Sequence, residues 1–399
     1  MRIIFALLLV IFLAFSGYHL SFRGLRLPLF ARQFYLTGTE FLFLGLLLGP
    51  QFLNLLDGET QKGLAPLTAL LLGWIGLLYG SQFEIAKLRR FPLEYLAAAI
   101  IEGLLTLTLV FLAAYFTLPF FLHIPPTMKI VVALALAAAA ASTAQTGLAL
   151  MTPDAVSRRQ NTLTFLRYIS SIDGLSALVI FGLAFIFRQP SPSVLTWVWE
   201  LSRGVLTSLG ASLGLLFLFT LFLKKRLSES ELILVVISMA IVTSGAASVL
   251  NFSPLLANFF VGFSLVNLSR EKERIYRILF TVEKPVYLLL LLFLGVGWQI
   301  DSVWIFFLAA GYWVWRSLGK IMAGFLVTEV IPGLRRHPHH LGFGLLDQGG
   351  LPLAILLDFW QSFPCDTTTR VISLALLAVI YNDLLSPNFL KRLLQREAR

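Results

Sequence analysis

The sequence predicts an all-α polytopic membrane protein of about 13 transmembrane helices. Three observations carry this expectation. The 399 residues are 58% hydrophobic and only 13% charged, whereas a soluble domain carries roughly 25% charged residues. Apolar runs close to the ~20 residues that cross a bilayer recur along the whole chain. The basic residues gather in short clusters between those runs.

The runs that qualify span about 3–22, 37–56, 63–83, 93–118, 128–151, 161–187, 204–223, 231–250, 254–268, 281–299, 303–328, 340–359 and 370–389. The ninth is short, and the second contains Pro50. Assigning the connections alternately to two sides places 21 Lys and Arg on one side and 5 on the other. Basic residues favour the cytoplasmic side. The N-terminus is therefore expected outside and the C-terminus inside, in a cell membrane of the bacterial inner-membrane type. One miscounted span would invert the downstream half and erase the asymmetry. The first run, preceded by Arg2 and followed by Ser16-Gly17, also has the form of a signal peptide. Its length, and the lack of a clean cleavage site, favour a retained span.

The net charge of +10 resides in these clusters and points to membrane lipid headgroups, not nucleic acid. Cys365 is the only cysteine, which excludes a disulfide framework and a cysteine metal site. No phosphate-binding loop of the form Gly, four residues, Gly-Lys-Ser/Thr occurs, which argues against ATP-driven pumping. No cofactor is implied. No nucleophile–base or metal-ligand spacing stands out, so an enzyme is not expected.

Two stretches look repeated. Residues 40–50, EFLFLGLLLGP, resemble 255–265, LLANFFVGFSL, and Leu78–Glu84 resembles Leu294–Asp301. Seven spans separate the copies, which puts them in opposite orientations, the plan in which a transporter holds its substrate near the midplane. The alternative is that any two apolar segments look alike.

Ionisable groups at membrane depth cost about 2.5–3.5 kcal/mol on insertion scales, so each needs compensation. The central ones are Asp173, Arg316, Lys320 and Asp347, with Glu40, Glu102 and Arg167 nearer the ends. Asp173 sits among Ser170, Gly174 and Ser176, which leave room for an ion or water. Low dielectric disfavours a bare carboxylate, so such a group can exchange a proton for a cation; a structural ion pair is the other reading. Arg316 and Lys320, four apart, share a helix face and are expected to need Asp173 and Asp347 opposite them.

Two spans read as broken. Ala137–Ala141 runs into Ser142-Thr143-Ala144-Gln145-Thr146-Gly147, and the twelfth span contains Asp347-Gln348-Gly349-Gly350-Leu351-Pro352. Glycine and proline interrupt the helix where Thr, Gln and Asp offer oxygen ligands, and unwound backbone is tolerated only in protein or beside a water-filled cavity. Kinked helices packed on small residues are the plainer alternative. The cluster His337-Pro338-His339-His340 falls in a cytoplasmic connection, as a pH-sensitive gate or as a solvated loop.

With these residues in place, the chain resembles the cation:proton antiporter superfamily, in the branch of sodium/hydrogen exchanger-like membrane domains, over nearly its whole length. Gly45-Leu-Leu-Leu-Gly-Pro50 is similar to that family's early glycine-proline motif. Tyr79–Glu84 with Lys87, Arg89 and Arg90 resembles its first-half signature. Ala257–Gly262 and Phe293–Gly297 resemble the second-half counterparts. Arg316-Ser-Leu-Gly-Lys320 is similar to its Arg-x-x-Gly-basic motif, and Leu346–Gly350 to its late glutamine-glycine segment.

The resemblance implies exchange of Na⁺ or K⁺ for H⁺ by a homodimer built as inverted repeats, with two broken helices that cross at the ion site. Its core helices would lie at about 93–187 and 303–389, its scaffold and dimer helices at about 1–83 and 204–299, and a short cytoplasmic tail at 391–399. It assigns ion binding and proton exchange to Asp173, with Thr143 at the first break beside Ser142, Gln145 and Thr146. Arg316, Lys320 and Asp347 would balance charge, and Gln348, Gly349 and Gly350 would form the second break. The sequence departs from the family pattern at Ile172, where Asp, Asn or Gln is usual, and at Gln145, where proline is common. A single carboxylate then implies electroneutral exchange. A transport-dead scaffold or ion sensor of the same fold, and a sodium-coupled organic-anion symporter, are the competing readings.

Overall fold

The computed structural model describes residues 2–21, 38–144, 160–185, 227–269, 271–335 and 337–396, with isolated positions between 199 and 217. Apart from those positions, the expected span at 204–223 lies outside the described residues, as do Gln145 and Thr146. Among the described residues every regular element is helical: α1 (Arg2–Ser21), α2 (Thr39–Leu48), α3 (Ala65–Ser81), α4 (Leu93–Phe121), α5 (Pro126–Ala141), α6 (Gln160–Ala184), α7 (Glu229–Val249), α8 (Pro254–Leu268), α9 (Lys272–Val296), α10 (Trp304–Val330), α11 (Gly350–Ser362) and α12 (Asp366–Arg396). Short helical turns occur at Gly58–Gly63 and Ile85–Leu88, and 3-10 turns at Pro332–Leu334 and Leu341–Leu345. Windows in α4, α6, α7, α9 and α12 are long and apolar enough to cross a membrane.

Local chemistry sets several boundaries. Helix α7 opens on a capping box, in which Ser228 and Glu231 satisfy each other's backbone N–H groups. Ser253 caps α8 ahead of Pro254, and Pro126 opens α5, a first-turn position where the missing N–H costs nothing. The expected span at 37–56 is helical only over Thr39–Leu48. Gly49 is extended and Pro50 follows it, which disfavours helix at the preceding residue. Helix α9 starts at Lys272, well before the apolar run at 281, because its first turns carry the charges that keep that end in water.

The chain divides into two compact units. The first comprises Met1–Arg90, Arg188–Trp298 and Leu357–Pro364; the second comprises Phe91–Phe187, Gln299–Leu356 and Cys365–Arg399.

In the first unit α3 packs along α8 and α2 along α9. Both crossings are made by glycines from the sequence motifs. A Cβ on Gly45 of α2 would lie 2.9 Å from Gly295 Cα, and one on Gly295 3.0 Å from Gly45 Cα. At the other crossing, a Cβ on Gly80 of α3 would lie 2.8 Å from Phe263 N, and one on Gly262 of α8 3.0 Å from Leu77 Cα. Small residues let membrane helices approach to backbone contact. The two crossings are images of each other when α2 corresponds to α8 and α3 to α9, as inverted copies require.

The second unit obeys the same relation. Helices α4 and α10 face each other; α4 carries α5 and α6, while α10 carries the Leu341–Leu345 turn and α12. Helix α4 meets α10 where a Cβ on Gly319 would lie 3.0 Å from Thr106 Cα.

Glu84, just past α3, has a structural part in the first unit. It accepts from Lys272 at 2.6 Å and Lys87 at 2.9 Å. Lys272 first, and Lys87 after it, hold the Glu84 carboxyl below the usual carboxylate range. A lowered folded-state value means that the tie contributes at neutral pH and is lost as pH falls through that value.

Glycine contacts of this kind predict that Gly295→Val, which overpacks a backbone crossing, lowers stability by about 1–3 kcal/mol. Gly58→Ala, at a position with nothing within 4 Å, is expected to change it by under ~0.5 kcal/mol. Thermal unfolding of the detergent-solubilised protein separates the two.

Candidate functional site

Helix α5 stops at Ala141 inside the second unit, with Ala137–Ala141 fully buried. A helix that ends away from water leaves its last carbonyls without partners, and a buried unpaired carbonyl is costly. The carbonyls of Ala139, Ala140 and Ala141 each have a side-chain partner. Ala139 O accepts from Ser142 Oγ at 3.3 Å and Gln348 Nε2 at 3.4 Å. Ala140 O accepts from Arg316 Nε at 3.1 Å, and Ala141 O from Lys320 Nζ at 2.5 Å. Ser142 O, one residue on, accepts from Arg316 Nη2 at 3.3 Å.

The second break faces the first. After the Leu341–Leu345 turn, Leu346 O accepts from Arg316 Nη1 at 2.6 Å and Asp347 O from Nη2 at 3.4 Å. Ala144 N donates to Asp347 O at 3.0 Å, joining the two unwound segments directly. A Cβ on Gly349 would already lie 2.8 Å from Ala144 Cβ, so the crossing leaves little room there. Gly350 opens α11. Arg316 also donates to Asn382 Oδ1 of α12 at 3.3 Å. The buried guanidinium thus binds both breaks and a third helix in one plane of donors, which a lysine could not do.

Lys320 lies one turn further along α10, fully buried. Its ammonium sits among four oxygens: Ala141 O at 2.5 Å, Glu102 Oε1 at 2.7 Å, Thr143 Oγ1 at 2.8 Å and Asp173 Oδ2 at 3.2 Å. Asp173 is fully buried on α6. Thr143 Oγ1 donates to its Oδ2 at 2.5 Å, and Thr143 N donates to its Oδ1 at 3.3 Å. The hydroxyl of Thr143 is also 3.3 Å from Leu345 O. An ammonium has three protons for these four acceptors, and Asp173 is the one held at longest range.

The structure therefore brings Asp173, Thr143, Ser142, Lys320, Arg316, Asp347 and Gln348 to one place. Their roles differ from the expectation in two respects. The bonds from Arg316 go to carbonyls and an amide, with Asp347 meeting it through its backbone oxygen. Glu102, which sequence placed nearer a span end, is fully buried against Lys320. Its signal was present: it is a lone carboxylate within the apolar run of α4, one turn before Thr106. Arg167 is exposed on α6, and Glu40 is half-buried on α2 in the first unit. Ile172, at the usual polar position, is buried.

His337 is not in a solvated loop. It is buried, stacked on Phe165 with centroids 4.8 Å apart, and Thr162 Oγ1 is 3.4 Å from its Nδ1. His339 and His340 are exposed.

Two unwound helices crossing within inverted repeats, with a carboxylate and a lysine buried at the crossing, define a multi-pass membrane protein of the secondary-transporter class. The sodium/hydrogen exchanger transmembrane family matches residues 9–395, and the chain belongs to that family. The solved structure of the sodium proton antiporter MjNhaP1 from Methanocaldococcus jannaschii at pH 8 matches with a TM-score of 0.68 and 18% sequence identity, covering 99% of each chain. No curated protein matches the sequence.

The accounting of carbonyls predicts that Arg316→Lys destabilises the protein by on the order of 3 kcal/mol, because several charge-assisted bonds at the two breaks are lost together. Arg316→Gln is expected to be at least as severe. The thermal midpoint of each purified variant, measured against wild type, checks both.

Proposed function

We propose that the chain exchanges a monovalent cation, Na⁺ or K⁺, for H⁺, one for one, at the Asp173 crossing. The observation that carries this reading is the oxygen cage around Lys320. A carbonyl, a hydroxyl and carboxylate oxygens are the hard ligands that unwound transporter helices offer to alkali cations. In the present arrangement a primary ammonium fills that cage as an internal cation. A transported cation competes with it for Asp173 Oδ2, Thr143 Oγ1 and Ala141 O.

Asp173 then alternates between two loads. It carries a proton in one half of the cycle and a cation in the other, and low dielectric prevents it from travelling bare. Each load is a single positive charge, so the carrier has the same net charge in both halves and exchange is electroneutral. The organic-anion reading is less well supported, since Arg316, the permanent cation at the crossing, is already occupied by backbone carbonyls. The second unit, which supplies every residue of the cage, is assigned the ion-carrying role; the first is assigned the homodimer contact implied by the family resemblance. The basic clusters support a reading with the N-terminus outside a cell membrane and the C-terminus in the cytoplasm.

In proteoliposomes carrying an internal pH dye and an imposed proton gradient, addition of Na⁺, K⁺ or Li⁺ to wild type is expected to dissipate the gradient. Asp173→Asn is expected to abolish the response while leaving insertion intact. Clamping the membrane potential with valinomycin and balanced K⁺ is expected to leave the rate unchanged. A wild type that is silent to every cation, or an Asp173→Asn variant that responds equally, would overturn the assignment.

A further inference from the structure

The cage contains a second carboxylate that the exchange of one proton for one cation does not require. Glu102 on α4 is fully buried, and its Oε1 lies 2.7 Å from Lys320 Nζ, closer than Asp173 Oδ2 at 3.2 Å. Thr106 Oγ1, one turn on, is 3.4 Å from the same oxygen. The other oxygen, Oε2, is buried with no hydrogen-bond partner. Its position is fixed from two sides. The Gly319–Thr106 contact holds α4 against α10 beside Lys320, and a Cβ on Gly103 would lie 2.6 Å from Ser176 Oγ and 3.7 Å from Asp173 Cα on α6. The charged groups facing Glu102 are Lys320 and Arg316 from α10 and Asp173 from α6.

When a cation takes Asp173, the Lys320 ammonium loses one of its two carboxylate partners. With no other partner it would be a bare buried cation, and it would have to give up its proton or exclude the incoming ion. We propose that Glu102 is the second anchor of Lys320: it keeps the lysine charged while Asp173 holds the transported cation, so that Asp173, and not Lys320, carries the exchanged proton. Oε2, buried without a donor, is the free oxygen onto which the ammonium shifts as it withdraws from the cage. Bonds are conserved in this step: the ammonium trades Asp173 Oδ2 for Glu102 Oε2, and no proton leaves the lysine. Glu102 is a positioning residue, since it acts on the ion through Lys320.

This inference rests on the exchange reading above and is tested in the same proteoliposomes by the cation dependence of the rate. Glu102→Gln leaves Asp173 as the only ionic partner of Lys320, so the ammonium competes harder with the cation. The cation concentration for half-maximal rate is expected to rise about tenfold or more, the scale of one charged hydrogen bond, with the maximal rate largely kept. Glu102→Asp, which keeps the charge at shorter reach, is expected to recover most of that loss. Adding Lys320→Gln to Glu102→Gln removes the competitor; the half-maximal concentration is expected to fall again and proton-coupled exchange to persist. A wild-type cation dependence in Glu102→Gln would overturn the proposal. So would a well-inserted double variant with no exchange, because the lysine would then be the proton carrier. If Glu102→Gln fails to insert, the double variant decides: proton-coupled exchange supports the proposal, and its loss in well-inserted protein overturns it. Silence of the wild type, by contrast, would remove the exchange reading itself.

Discussion

The second unit depends on one constraint: helix α5 ends where no water can reach its carbonyls. Everything at the crossing can be traced to that ending. A buried chain end of this kind needs donors from outside the helix, and the donors that arrive are two cationic side chains from α10 and one amide from the opposite break. Arg316 takes Ala140 O and Ser142 O, Lys320 takes Ala141 O, and Gln348 takes Ala139 O. Those cations would themselves be prohibitive at membrane depth. The broken helix ends, with their partial negative charge, and the carboxylates of Asp173 and Glu102 make them tenable. Break and cations therefore stabilise each other.

Within this arrangement Arg316 and Lys320 divide the work according to their chemistry. The guanidinium is permanently charged and planar, with donors enough to join two backbone segments and Asn382 at once. It fixes the crossing. The ammonium is a compact charge, and it stands among a carbonyl, a hydroxyl and two carboxylate oxygens. Structure and proposed exchange thus share one site without sharing one residue. The helices that hold these side chains are placed by glycine contacts of a simpler sort, Gly319 against Thr106 here and Gly45 against Gly295 in the first unit.

Much of this was legible in the sequence, and the reasons differ by element. The spans could be read because lipid forbids polar runs, and the alternation of basic clusters checks their number. Asp173, Arg316 and Lys320 stood out because charge inside an apolar run has no bland explanation. Thr143 was marked by the run of alanines that ends beside it. What sequence could not give was pairing. The requirement for carboxylates opposite Arg316 overlooked main-chain carbonyls, which have no sequence signature. Glu102 was discounted by its distance from a span centre, although burial depends on which helices surround a residue and not on its place along its own. His337 was hidden for a similar reason: it sits in a polar connection, but Phe165 and Tyr95 from α6 and α4 cover it. The motif glycines were visible from the start, yet only the structure gives them their use, which is close helix contact.

The central claim is that a proton and an alkali cation compete for Asp173 within the Lys320 cage. The most direct measurement is proton release on cation binding. Purified protein in weakly buffered detergent solution would be titrated with Na⁺ and with K⁺ while a dye reports pH. The account predicts saturable release approaching one proton per cation bound at pH values where the unloaded site is protonated, and none from Asp173→Asn. Saturable cation binding with no proton released, or the same release from Asp173→Asn, would contradict it.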